Sequence, residues 1–275
     1  MRASDSGLEY HAVILDSQPA QVQAAEVQSA EVQAAFAAAA TRYDQAAHIQ
    51  RQAAEQFAQW LAMQPIAIPQ TILEVGCGTG FLTAQLVERY PHASILATDI
   101  APAMLAQAQQ RITAPQMQWQ VLDAQQGAPQ ASDWLVSALC FQWFQPLADA
   151  LQKLWEKTEV LAFSIVLADS FRDWRAAHDT LQLSCGLQPL PSWENLHTLC
   201  SALQPASFTS ERVSLLETHA NALAFAQSMK AIGAHVPRAD HAPAGLRSPL
   251  RQVLKALPQP YAVNYEIGFF CLRKK

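Results

Sequence analysis

The 275-residue chain predicts a doubly wound α/β fold, and three observations carry that prediction. The apolar run Ile72-Leu73-Glu74-Val75 enters a loop, Gly76-Cys77-Gly78-Thr79-Gly80, with glycine at alternate positions. An amphipathic segment follows, and a second apolar run, Ile95-Leu96-Ala97-Thr98, ends on Asp99. Further strand and helix patterns then alternate as far as Val166. Each crossover must cover a sheet face, so alternation of this kind gives parallel strands with helices on both sides.

Taken in order, strands are expected at 71–75, 94–98, 117–122, 134–139 and 159–166. Helices are expected at 81–89, from Pro102 to about 112, and at 147–155. Proline is favourable just inside a helix start, which places Pro102. After 169 the pattern changes. Stretches 171–183 and 193–203 read as helices forming a lid, 212–216 as a strand, and 221–232 as a helix capped by Asn221 and Gly233. Pro237, Pro243 and Pro249 mark a loop over 235–249, and 262–272 reads as the last strand. Before the core, 34–63 reads as two helical stretches closed by Pro65 and Pro69. The near-repeat Gln21-Val22-Gln23-Ala24-Ala25, Glu26-Val27-Gln28-Ser29-Ala30, Glu31-Val32-Gln33-Ala34-Ala35 has a five-residue period that fits no helical stripe. The organisation expected is a low-complexity extension over 1–31 with no catalytic role, cap helices over 32–69, a ligand-binding core over 70–168, a helical lid over 169–205, and terminal strands with a substrate-side helix over 206–275.

Hydrophobic residues make up 51% of the chain and charged ones 15%, which argues against disorder over most of its length. The five cysteines are scattered, with no metal-ligand spacing, so neither zinc nor a disulfide framework is expected. A reduced cytoplasmic setting follows. No apolar run reaches the ~18 residues of a membrane span, and the first residues lack a signal-peptide core. Net charge is −5, which offers no extended basic face for nucleic acid. Yet residues 1–150 carry 5 basic against 13 acidic groups, while 151–275 carry 13 against 10.

The glycine loop narrows the ligand. Gly76 lets the chain turn sharply out of its strand, and Gly78 and Gly80 would let a ligand touch bare backbone. Read from Gly78, the spacing puts Thr83 where the dinucleotide fingerprint needs glycine. Glu74 would repel a pyrophosphate and suits a cationic ligand with an amino group. Asp99 stands where a ribose diol would lie.

Leu73 to Gly80 resembles motif I of class I S-adenosylmethionine-dependent methyltransferases. Asp99-Ile100 resembles their ribose-binding acid and its adenine-side neighbour, and Leu122-Asp123-Ala124 their adenine-reading segment. The resemblance implies a Rossmann-like seven-stranded sheet whose final strand is antiparallel. Ala34-Ala35-Phe36 through Tyr43 and Gln50 to Ala53, Ser137 to Trp143, and Ser228-Met229-Lys230-Ala231-Ile232-Gly233-Ala234 resemble one subfamily, the malonyl-[acyl-carrier protein] O-methyltransferases of biotin synthesis. The linker 125–132 is shorter than theirs, and the turn 156–158 lacks their Pro-Gly.

That resemblance implies a set of roles. Glu74, Gly76, Cys77, Gly78 and Gly80 would hold the methionine portion of S-adenosylmethionine. Asp99 would hold the ribose, Ile100 and Met104 would flank the adenine, and Asp123 with Ala124 would read its amino edge. Cys140 and Phe141 would line the methyl channel, and Tyr43 and Gln50 would close over the cofactor. The acceptor would be the carboxylate of a malonyl thioester. Already ionised near neutrality, it needs no general base, so no histidine has to be catalytic and no metal is expected. Lys230, Arg51, Arg172, Arg175 and Tyr43 are the candidates to meet it. The acidic carrier protein would land on Arg238, Arg247, Arg251 and Lys255. Two other readings stand beside this one: a methyltransferase acting on a free small acid or quinone precursor, and a cofactor-binding interaction protein without turnover.

Overall fold

A computed structural model describes residues 27–234 and 250–275. The described residues begin with α1 (residues 27–39), α2 (Tyr43–Ala46) and α3 (His48–Ala62). The core follows as β1 (Thr71–Val75), α4 (Phe81–Arg89), β2 (Ser94–Asp99), α5 (Pro102–Arg111), β3 (Met117–Val121), β4 (Ser132–Ala138), α6 (Leu147–Trp155) and β5 (Thr158–Val166). Then come α7 (Arg172–Thr180), α8 (Trp193–Ala202), β6 (Ser207–His219), α9 (Ala222–Ala231), α10 (Leu250–Ala256) and β7 (Tyr261–Arg273). Short 3₁₀ turns occupy Ala124–Gln126 and Phe141–Trp143.

The strands form one seven-stranded sheet in the order β3-β2-β1-β4-β5-β7-β6. β1 to β5 are parallel to their neighbours, and β7 runs antiparallel to both β5 and β6. The order reverses between β1 and β4. A crevice therefore opens beyond the carboxyl ends of these two strands, where ligands bind in open α/β sheets.

Alternation along each strand splits the core into two layers. Ile72, Ile95, Trp134 and Val136 face one side, with Phe57 and Leu61 of α3 and Leu82 and Leu86 of α4. Leu73, Leu96, Leu135 and Leu161 face the other, with Leu151 and Leu154 of α6 and Leu196 of α8. Both layers exclude water from fully buried aliphatic and aromatic groups, each contributing roughly 1.5–3 kcal/mol.

Three elements differ from expectation. α3 is more than a cap, because Phe57 stacks on Trp60 and both rings meet Phe269 of β7. The sixth strand is 13 residues long, because its full length pairs with β7 from Ser207–Arg273 to His219–Tyr261. α1 includes residues of the segment expected to be a low-complexity extension, and Ser29 there is bound to the core, its Oγ accepting from Gln125 Nε2 at 2.6 Å. Residues 1–26 and the loop over 235–249, with Arg238 and Arg247, lie outside the described residues.

Candidate active site

β1 delivers the chain to the crevice. Its last two carbonyls are held from neighbouring strands: Thr98 Oγ1 donates to Glu74 O and Ser137 Oγ to Val75 O, both at 2.8 Å. The backbone then turns at Gly76, with φ +69°. A Cβ there would collide with Cys140 Sγ, so the turn can close against β4 only without a side chain. At Gly78, φ +55°, a Cβ would meet nothing within 4 Å, so this residue presents open backbone. Gly80 behaves differently. A Cβ there would lie 2.8 Å from Ile112 Cδ1, so this glycine serves the packing of the loop on the segment after α5 and does not line the crevice.

Asp99 is the organising acid. Its Oδ2 accepts from the Gly78 N–H at 2.9 Å and its Oδ1 from the Ala101 N–H at 2.8 Å. Burial pushes its carboxyl up to about 6, against the lowering effect of those N–H groups. Each oxygen keeps a lone pair for a further donor. Glu74 lies deeper, 1% exposed, and its Oε2 has no hydrogen-bond partner. Burial raises it to about 8; Thr83 opposes the shift and Asp99 adds to it. Both acids line one chamber with Gly76, Cys77, Gly78, Ile100, Met104, Asp123, Ala124 and Cys140.

The chamber is roofed by the N-terminal helices. Ser29, Val32 and Phe36 of α1, with Tyr43 and Gln50, complete its lining. Asp44 anchors this roof by accepting from Thr79 Oγ1 at 2.6 Å and pairing with Arg111. Gln125 ties it to the opposite wall. Its Nε2 donates to Ser29 Oγ at 2.6 Å, its Oε1 accepts from the Gln145 N–H at 2.5 Å, and its N–H reaches Asp123 Oδ1 at 3.1 Å. Burial, with Asp99 nearby, holds the Tyr43 phenol well above its ordinary range, so it remains an O–H donor. Burial likewise keeps the Cys77 and Cys140 thiols protonated. Sequence reasoning gave no role to Asp44, Gln125 or Ser29; each acts through a partner far along the chain.

A second chamber adjoins the first. They share Phe36, Tyr43, Gln50, Leu139 and Trp143. Val166, Phe171, Met229, Ile232 and Tyr265 line its far side.

Several expected site residues are elsewhere. Phe141 is fully buried and packs on Phe144 and Phe163, because the 3₁₀ turn after β4 rotates it into the core; Cys140 alone of that pair reaches the crevice. None of the four predicted cations lines either chamber. Lys230 is exposed on α9, one residue past the chamber-lining Met229. Arg51 lies over the Phe81 ring at 4.9 Å, and Arg172 is exposed. Arg175 Nε donates to Ser170 O at 3.1 Å, while its Nη2 is buried without a partner. Among the described residues, no group of metal-ligating side chains converges and no helix is long and apolar enough to cross a membrane.

Residues 72–159 match the model of a methyltransferase domain. The biotin biosynthesis bifunctional protein BioCD of Bordetella avium is 35% identical over 247 residues, or 87% of this chain. The chain spans about half of that longer relative, 51%. The malonyl-[acyl-carrier protein] O-methyltransferase of Magnetococcus marinus is 28% identical over 241 residues, covering 84% of this chain and 88% of that protein. Among solved structures, YcgJ of Bacillus subtilis aligns with a TM-score of 0.56 at 13% identity, over 80% of this chain and 99% of that one. The plantazolicin methyltransferase BpumL, solved with SAH, aligns at 0.53 and 13% identity over 94% and 99%. These two likenesses concern the fold. Residues 72–159 thus carry a methyltransferase domain on the Rossmann-like seven-stranded sheet, and the chain resembles the malonyl-[acyl-carrier protein] O-methyltransferases.

Proposed function

We propose that the enzyme methylates the free carboxylate of a malonyl thioester carried on acyl carrier protein, forming the methyl ester that starts pimeloyl synthesis for biotin. The observation that carries this reading is the pair of adjoining chambers in a chain with relatives named malonyl-[acyl-carrier protein] O-methyltransferase.

The residues of the first chamber fit S-adenosylmethionine. The unpartnered, buried Glu74 Oε2 suits a cationic amino acid end. The open backbone at Gly78 admits close contact. The remaining acceptor capacity of Asp99 suits a diol, and Ile100, Met104, Asp123 and Ala124 form a slot for a flat base. When bound, this cofactor supplies an electrophilic methyl group on a sulfonium.

Tyr43 and Gln50 line both chambers and so stand at their junction. In this reading they position the acceptor carboxylate with neutral donors, the task expected earlier of a cation. A full guanidinium pair would dull the nucleophile. Neutral donors align it while leaving its charge available. Phe36, Leu139 and Trp143 exclude water from the junction. Alignment and desolvation of this kind can supply roughly 7–11 kcal/mol, and no general base is needed for an acid already ionised.

The carrier protein would dock where Arg251 and Lys255 stand exposed on α10, with Arg238 and Arg247 in the adjoining segment. A cytoplasmic setting goes with this reading. The test is an assay of purified enzyme with labelled S-adenosylmethionine, offering malonyl-carrier protein and free malonate side by side. Methyl ester on the carrier protein, read by mass, is expected. Methylation of the free acid alone would replace this reading with the small-molecule one.

A further inference from the structure

Gly233 lines neither chamber, yet it stands where a wall of each is joined. It follows α9 in the left-handed conformation, φ +76°, and its N–H donates to Lys230 O at 3.2 Å. The turn it makes brings Ala234 to the wall of the second chamber, which Met229 and Ile232 also line. A Cβ on Gly233 would lie 2.9 Å from Ala35 O and 3.1 Å from Phe36 Cα. Those are backbone atoms of α1, and a helix backbone cannot swing aside as the end of a long side chain can. α1 therefore seats directly on the end of α9, and the seat requires glycine for both its space and its φ.

The rest of α1 belongs to the first chamber. Ser29 and Val32 line that chamber only, and Phe36 lines both. Gln33 Nε2 donates to the carbonyl of Ile100, another residue of the first chamber's wall, at 2.9 Å. The Phe36 ring meets Trp143 edge-on at 5.5 Å. Between these ties the helix is built of small or polar residues. Its only apolar side chains larger than alanine are Val27, Val32 and Phe36, and Val27 is exposed. A helix this short is marginal on its own. With so few buried apolar groups it holds its place less firmly than the sheet does, and what it touches decides how well it is held.

We propose that α1 couples the two chambers through its seat on Gly233: a ligand in the first chamber holds α1 in place, and α1 in turn fixes the end of α9 that walls the second. Gly233 is thereby a positioning residue that acts through α1. Contacts between the ligand and Ser29, Val32 or Phe36 exist only while the helix is seated, so binding favours the seated state by what those contacts contribute. The effect is reciprocal by linkage. Filling the first chamber completes the wall of the second, which favours binding of the methyl donor before the acceptor. This inference goes beyond the identity of the acceptor and rests only on the first chamber taking S-adenosylmethionine.

The test is hydrogen–deuterium exchange of the full chain with and without saturating S-adenosylhomocysteine, the demethylated donor. The amides of Ile232, Gly233 and Ala234 bond to Ser228 O, Lys230 O and Met229 O. They are expected to exchange about tenfold more slowly with the ligand bound. α8 lines neither chamber, and its amides should change by less than about twofold. Gly233→Ala should shrink the ligand's effect on α9 to within about threefold. Gln33→Ala, which alters nothing in α9, should do the same, with the ligand still bound. Equal exchange of α9 with and without ligand, a slowing of the same size in α8, or an effect that survives both substitutions would overturn the coupling and leave the proposed function standing. No uptake of S-adenosylhomocysteine in calorimetry would overturn the reading of the first chamber and the coupling with it.

Discussion

The two chambers share five walls and differ in charge. The first holds Glu74, Asp99 and Asp123 within a lining of bare glycine backbone and aliphatic groups. The second holds no charged side chain among the described residues. Buried charge is costly unless something answers it. The acids of the first chamber can be answered by a cationic ligand, whereas the described walls of the second hold nothing to answer an anion. A methyl transfer between them moves a group from a cationic donor to an anionic acceptor. In the proposed reaction the chain's acids stand on the donor's side, and the described residues on the acceptor's side carry no charge.

Asp99→Ala should act on one chamber alone. Two backbone N–H groups lose their acceptor together with the ligand's diol, and charge-assisted bonds of this kind contribute about 1.5–3 kcal/mol each. Affinity for S-adenosylmethionine measured by calorimetry should fall about 100-fold or more. Acceptor KM at saturating cofactor should hardly move, and a comparable rise there would dissolve the distinction between the chambers.

A smaller effect concerns pH. In the free protein Glu74 keeps its proton up to about 8, through burial first and Asp99 second. A cationic ligand favours the ionised form, so binding releases a proton. Affinity for S-adenosylmethionine should rise with pH toward about 8, by up to tenfold per unit, and level off above it. Glu74→Gln should flatten that profile. Stability of the free protein runs the other way. Between the ordinary value near 4.5 and about 8 the folded state holds a proton that the unfolded chain has released, so this group's contribution falls as pH rises. A profile unchanged in Glu74→Gln would mean that another group carries the linkage.

The smallest effect belongs outside both chambers. Charge reversal at Arg251 and Lys255 should raise KM for carrier protein roughly two- to fivefold and reduce its dependence on salt, as expected for exposed charges that steer association. Cofactor affinity should stay constant. If KM does not change, the carrier protein lands elsewhere.

The sheet was legible because its signals are local. Apolar runs bounded by glycine, proline and acids place β1 to β5, and Asn221 caps α9 as expected, its Oδ1 accepting from the Ala224 N–H at 2.9 Å. The first chamber was legible for a related reason: Glu74, Gly76, Gly78 and Asp99 lie at two adjacent strand ends, so order along the chain fixes order in space. What was not legible depends on rotation and on distant partners. Met229 lines the second chamber and Lys230 does not, since one step along a helix turns a side chain by about 100°. Phe141 went to the core through a 3₁₀ turn that no periodicity announces. The role of α1 was hidden by a five-residue repeat, whereas its anchors, Gln125 and the Ile100 carbonyl, are 96 and 67 residues away.

The placement of β7 has a consequence for how the sheet assembles. β7 is inserted between β5 and β6, and among the described residues β6 pairs with the sheet only through it. A chain cut before Tyr261 would end its sheet at β5 and leave β6 without a neighbour to pair with. Tyr265, which walls the second chamber, would be gone as well. The second chamber therefore cannot close until β7 has paired with its two neighbours, and such long-range pairing is a slow class of folding event.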